Sequence, residues 1–192
     1  MADKKPTRIV TPKDEPVRLS YVKLFTPEET KTGPKYSTTI LIPKTATKTK
    51  ALIDSAMKAA LQIGQTSELK GVPQSQLIIP LHDGDGQKPK GGEYGEECKG
   101  HWVLNASTYH QRPGIVNRKL EPITDATEVY SGMYACVDLS FAPYNNVNKG
   151  IGCYINNVLK HSDGPVLAGK PRPEDSFADY ADAEDDLSDI WM

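Results

Sequence analysis

The chain has 192 residues, 38% of them apolar, with 15 Gly and 15 Pro. That describes one turn-rich domain with appendages outside its core. No run approaches the roughly 18 apolar residues of a membrane span, and the opening MADKKPTRIV lacks the apolar stretch of a secretory signal, so no membrane or export role is expected. Three Cys without framework spacing (Cys98, Cys136, Cys153) read as reduced thiols of a cytoplasm.

The net charge of −2 hides a segregation of signs. Residues Glu174 to Met192 hold eight acids and no Lys or Arg, so the 25 acids and 23 bases of the whole chain leave 17 acids against 23 bases in residues 1–173. A body of +6 beside a segment of −8 suggests a polyanion-binding domain that carries its own competitor.

In chain order, residues 1–16 show no periodicity and read as a flexible arm. Arg18 to Phe25 reads as a strand, Thr26 to Pro34 as a loop, and Lys35 to Pro43 as a strand with Tyr36, Thr38, Ile40 and Ile42 on one face. Thr47 to Ile63 is the one helix. Ile53, Met57, Ala60 and Leu61 form its apolar stripe, with Leu52, Ala56, Ala59 and Ile63 beside it. Thr47 or Thr49 is placed to cap its start and Gly64 to end it. Leu77 to Leu81 reads as a short strand, and His82 to Glu97 as a mobile Gly-rich loop. Strands follow at His101 to Tyr109, Met133 to Phe141 and Ile151 to Leu159, with a basic loop containing a short strand at Gln111 to Pro122.

On the Met133 strand, Met133, Ala135, Val137, Leu139 and Phe141 face inward by alternation. About six short strands and one helix give a mainly β fold. The expected form is an OB-fold-like antiparallel barrel with one packed α-helix and disordered termini, with a β-sandwich as the alternative. Residues 17–163 form the expected domain, 164–173 a linker and 174–192 an acidic disordered tail.

Catalytic signatures are missing. There is no GxSxG, Walker A or HExxH. A calcium loop starting at Asp83 would need Gly and Glu where Lys88 and Tyr94 stand. Cys98 and His101 have ligand-like spacing, but no matching second pair completes a zinc site. No metal or cofactor is expected.

What remains is a set of aromatic residues interleaved with bases, including Tyr21 and Tyr36. Single-stranded nucleic acid offers phosphates to Lys and Arg and open base faces to Tyr and Trp. The candidate contact residues are Lys23, Lys35, Tyr94, Trp102, Tyr109, Arg112, Arg118, Lys119, Tyr134, Tyr144, Lys149 and Tyr154. Trp102 leads by residue type. Tyr36 shares a face with Ile40 and Ile42 and suits the core better. In the tail, Asp185, Asp186 and Asp189 alternate with Leu187, Ile190, Trp191 and Met192, the make-up of a docking peptide.

Several segments resemble the phage single-stranded DNA-binding proteins first catalogued as a domain of unknown function. They are SYVKLFTPEETKTGPKYSTTILIPK (Ser20–Lys44), GHWVLNAST (Gly100–Thr108), RPGIVNRKLEPI (Arg112–Ile123), EVYSGMYACVDLSFAPYNN (Glu128–Asn146), NKGIGCYINNVLKHSDG (Asn148–Gly164) and EDSFAD (Glu174–Asp179). The resemblance implies an OB core and sequence-tolerant ssDNA binding in phage replication or recombination, in the host cytoplasm. It also implies a tail that meets replication or recombination proteins and competes with DNA. The helix follows the second strand, earlier than in a minimal OB-fold. A homodimer is compatible with the sequence. The rival functions are a metal-dependent nucleic-acid enzyme or recombination subunit, and a structural virion protein.

Overall fold

A computed structural model describes residues 5–167 and residue 177 of the chain. Its elements are β1 (Arg8–Val10), β2 (Val17–Thr30), β3 (Gly33–Pro43), α1 (Thr47–Gln65), β4 (Leu81–Asp83), β5 (His101–Tyr109), β6 (Gly114–Val116), β7 (Tyr134–Asn145) and β8 (Lys149–Ser162). Five strands close a ring. β2 pairs antiparallel with β3 and β3 with β5. β5 meets β8 in parallel at Ser107 and Tyr154, β8 pairs antiparallel with β7, and β7 returns to β2 at Val17–Ala135 and Arg18–Tyr134. This is the OB-type ring, with the one parallel seam that closes it. The helix lies between the second and third barrel strands.

The inward parities follow the alternation. Thr38, Ile40 and Ile42 of β3, Leu104 and Ala106 of β5, and Ala135, Val137, Leu139 and Phe141 of β7 are buried in one core. Tyr36 is half-buried at the end of that row. All three cysteines are free and buried. The helix packs on β7 through Ile53, Ala56 and Ala60, whereas Leu52 and Ile63 are exposed. Gly64 does not end the helix. It sits in the last turn, where a Cβ would lie 2.8 Å from both Pro143 Cβ and Leu69 Cδ1.

The expected flexible arm over residues 1–16 is corrected for its described part. β1 lies along β7, with Arg8 opposite Ser140 and Val10 opposite Asp138. Ile9 is buried, and the Arg8 guanidinium holds Asp138 through two bonds of 2.9 and 2.7 Å. Both β1 and the start of β2 run antiparallel to β7, so residues 12–16 are an excursion from one continuous edge. Pro12 and Pro16 bound that excursion, and neither can donate to a ladder.

The excursion reaches the helix. Glu15 accepts the Lys48 N–H at 3.3 Å and the Thr49 N–H at 2.7 Å. Neither Thr47 nor Thr49 caps the helix; the cap comes from a carboxylate far back in the chain, which suits the positive end of the helix dipole.

Two more segments differ from their sequence reading. Thr26 to Pro34 is a hairpin, not a loop, with Glu28 opposite Lys35 and Thr30 opposite Gly33. Gly33 has φ +110°, and a Cβ there would lie 2.5 Å from His110 Cε1, so only glycine fits. The Gly-rich loop after β4 is pinned to the barrel. The Lys44 ammonium sits 2.6 Å from both Asp83 and Asp85, and Asp85 accepts the Gly100 N–H at 2.9 Å. Leu77 to Leu81 is not a strand; Ile78 makes a single parallel bridge to Gly150, and β4 begins only at Leu81.

The start of the linker, residues 164–167, is docked. Pro165 O accepts from Arg18 at 2.7 Å, and the Leu167 N–H donates to Ser131 O at 2.9 Å. The tail residues Asp185, Asp186, Asp189, Ile190 and Trp191 lie outside the described residues. No helix among the described residues is long and apolar enough to cross a membrane.

Candidate nucleic-acid interface

Because Thr38, Ile40 and Ile42 point inward, Ser37, Thr39 and Leu41 face outward on β3, and Val103, Asn105 and Ser107 do so on β5. Two adjoining depressions occupy this outer face. One, of about 590 Å³, is lined by Lys88, Lys90 and Tyr94 among others. The other, of about 350 Å³, is lined by Lys23, Lys35, Ser37 and Ser107 among others. They share Tyr21, Thr39 and Asn105, so they form one groove across β2, β3 and β5. Its middle is neutral and polar: the Thr39 hydroxyl donates to Asn105 Oδ1 at 3.0 Å. Cations stand at both ends, Lys23 and Lys35 at one and Lys88 and Lys90, with Glu97 among them, at the other.

Tyr21 is aimed into the groove by the backbone. Between Ser20–Thr39 and Lys23–Ser37 the pairing gains one residue on β2, a bulge in which Tyr21 adopts φ +48°. The residue is 66% exposed, and a large aromatic in a left-handed conformation is an unusual cost. Ser131 helps fix the bulge by accepting the Val22 N–H at 3.1 Å.

At the far end of the groove, Lys35 is paired with Tyr109, and beyond Ser107 lies Tyr154 on β8. The Tyr154 ring leans over Gly152, where a Cβ would come within 3.0 Å of its hydroxyl oxygen. Burial, then the neighbouring Tyr109 and Tyr144, push the Tyr154 hydroxyl up from its ordinary pKa, and burial does the same for Tyr144. These phenols are neutral faces suited to stacking. Burial lowers the pKa of His82, which lines the groove, and so favours its neutral imidazole. Tyr94 packs with Leu41, Cys98 and Val103, and the Lys88 ammonium lies 5.8 Å from its ring centroid.

The other candidates lie off this face. Trp102 shares the inward parity of Leu104 and Ala106, packs against the core, and has the Lys44 and Lys50 ammonium groups 5.0 and 4.6 Å from its ring centroid. Arg112 stacks 4.5 Å over Phe25. Tyr134 is covered by Arg18 at 5.6 Å and approached by Gly164 of the linker. Arg118 and Lys119 stand on the turn after β6. Lys149 opens β8, and its carbonyl accepts from Ile78, which lines the groove.

Lys88, Lys90, Thr39 and Asn105 are missing from the sequence-derived set. Lys88 and Lys90 sit in a stretch without periodicity, and Thr39 and Asn105 carry no charge or ring to mark them. Among the described residues no group of three or more His, Cys, Asp or Glu gathers as a metal site.

A family model described as the ssDNA-binding protein of Enterobacter phage Enc34 matches residues 7–188. The chain belongs to the Enc34 single-stranded DNA-binding protein family. It is similar to the putative protein p50 of Acyrthosiphon pisum secondary endosymbiont phage 1, 28% identical over 163 residues that cover 80% of this chain and 84% of that one. Among solved structures it is similar to the single-stranded DNA-binding protein from bacteriophage Enc34 in complex with ssDNA. That likeness has 30% identity and a TM-score of 0.70 over 85% of this chain and 91% of that one. The gp2.5 single-stranded DNA-binding protein of bacteriophage T7 shares the fold, with 14% identity and a TM-score of 0.62 over 90% of this chain and 99% of that one.

Proposed function

We propose that this protein binds single-stranded DNA without sequence preference during phage DNA replication or recombination in the host cytoplasm, and that it is not an enzyme. The observation that carries this reading is the groove across β2, β3 and β5, cationic at both ends and neutral and polar between. Lys23, Lys35, Lys88 and Lys90 meet phosphates. Bases stack on Tyr21 and, beyond the Lys35 end, on Tyr109 and Tyr154. Hydroxyl and amide groups on the floor can hydrogen-bond to any base edge, which suits binding without preference. The relative solved with ssDNA supports the same reading.

The tail is assigned self-competition and partner docking. Leu167, the last continuously described residue before it, packs against Leu41, Cys98 and Val103 at one end of the groove. The acids from Glu174 onward are therefore tethered beside the cations that DNA needs, at high effective concentration. Replication or recombination proteins are the proposed partners of the tail, and a homodimer is tested by sedimentation at micromolar concentration.

Anisotropy titrations with oligo-dT, duplex DNA and RNA at two salt concentrations test the reading. Oligo-dT is expected to bind tightest, and removal of residues 174–192 to tighten it most at low salt. Equal affinity for duplex and oligo-dT, or a tail without effect at low salt, would refute the corresponding part. Cleavage of DNA in magnesium would favour a nuclease, and large assemblies indifferent to DNA a virion protein.

A further inference from the structure

A second cationic depression lies on another part of the barrel wall. It has a volume of about 270 Å³ and is lined by Lys13, Arg118, Leu120, Cys136, Leu159 and His161. It shares no lining residue with the groove. Leu159 and Cys136 face each other across β8 and β7, so the floor is apolar, and no carboxylate lines the site. Lys13, Arg118 and His161 form no ion pair among the described residues.

The rim is rigidly built. Asn117 Oδ1 accepts the N–H groups of Lys119 and Glu121 at 2.8 and 3.1 Å, and the Leu120 N–H donates to Asn117 O at 3.0 Å. The turn holds Leu120 at φ +64°, and the residue is 70% exposed. A leucine kept in left-handed backbone despite its Cβ, and presented to solvent beside unpaired cations, marks a preorganised contact.

We propose that this depression docks the last segment of the chain's own tail, residues 185–192. Apolar floor and cationic rim complement a segment in which Asp185, Asp186 and Asp189 alternate with Leu187, Ile190 and Trp191. No Tyr, Trp or Phe lines the site, so it lacks the large aromatic faces that the groove offers to nucleobases. The 17 residues between Leu167 and Asp185 span up to about 60 Å when extended. That matches half the circumference of a domain with a radius of gyration of about 15 Å. Tethering favours the chain's own tail over that of a second copy. The acids nearest Leu167 then lie beside the groove, while the apolar end is held elsewhere until DNA or a partner releases it.

Two exposed positions report the two possible addresses, because Leu120 lines this depression and Lys90 lines the groove, whereas the native thiols are buried. In full-length protein carrying Ser188→Cys, Leu120→Cys and Lys90→Cys, the new thiols are oxidised with diamide and the links are mapped by mass spectrometry. The link from position 188 to position 120 is expected to exceed that to position 90 at least fivefold, within monomers, and to fall at least fivefold when Lys13→Glu and Arg118→Glu are added. A dominant link to position 90, links mainly between monomers, or a link indifferent to charge reversal would overturn the assignment.

Trp191 emission, with the Trp102 contribution subtracted by means of Trp191→Phe, gives a second reading. It is expected to shift red in the charge-reversed protein, and no link together with unmoved emission would also overturn the proposal. If the same two reversals weaken oligo-dT binding as much as Lys23→Gln with Lys35→Gln does, the occupant is DNA, not the tail. That outcome leaves the groove reading standing, since the groove variants test it separately.

Discussion

Neutralising one lysine at each end of the groove should flatten the salt dependence of DNA binding by a calculable amount. Each phosphate contact on a single strand contributes about −0.7 to the slope of log K against log[salt]. Lys23, Lys35, Lys88 and Lys90 together predict a slope of about −2.8, so affinity should fall about fifty-fold between 50 and 200 mM salt. Lys35→Gln with Lys88→Gln leaves two contacts, a slope of about −1.4 and a fall of about seven-fold.

Lys23 is held by Glu28 at 2.9 Å. If that pair persists in the complex, both slopes shrink equally and their difference of about 1.4 stands. Neither Lys35 nor Lys88 forms an ion pair among the described residues, so the double variant should fold as the parent does. The assay is anisotropy of labelled oligo-dT over a salt series, with circular dichroism as the folding control. An unchanged slope in a folded double variant would refute the groove as the phosphate track.

Three further outcomes follow from particular contacts. Burial alone would raise the pKa of Glu15, but hydrogen bonds from the Thr49 and Lys48 amides and the Lys48 charge hold it below its ordinary value. Its contribution to stability is therefore present above the unfolded value of about 4.3 and lost as pH falls through the folded one. The Tm gap between the parent and Glu15→Gln should close between about pH 5 and pH 3, and a constant gap would contradict the cap. The buried Thr49 hydroxyl makes no hydrogen bond of normal geometry, yet it sits against the Glu15 carboxylate and helps lower its pKa. Thr49→Val should therefore raise the Glu15 pKa, read from the pH dependence of Tm, while changing stability at neutral pH by no more than about 1 kcal/mol in urea melts; an unmoved Tm profile would show that the two groups do not interact. Trp102→Ala should cost about 2 kcal/mol of stability, less than a fully buried Trp, while oligo-dT affinity changes less than twofold; a tenfold loss in folded protein would return Trp102 to the binding face.

Most of the barrel strands and the helix were legible along the chain, because burying one face of a strand or helix writes a period of two or 3.6 into neighbouring residues. Residues Lys35–Pro43 and Met133–Phe141 carry that period, and most of the side chains it names are among the buried ones. The split of charge was equally legible, since composition needs no folding. Whatever depends on residues distant in the chain was decided only by tertiary structure. The helix cap is one case, because Glu15 reaches Thr49 only after the Pro-bounded excursion leaves the edge of β7. The hairpin at Thr26–Pro34 is another: apart from its prolines it has no apolar residue to show a period of two, and pairing with the facing strand holds it extended. The face of Trp102 followed from the register of β5, and a one-residue slip would have reversed it. Tyr21 is the sharpest case. Its neighbours predict an ordinary strand, and only the extra residue that β2 accommodates against β3 turns its ring into the groove.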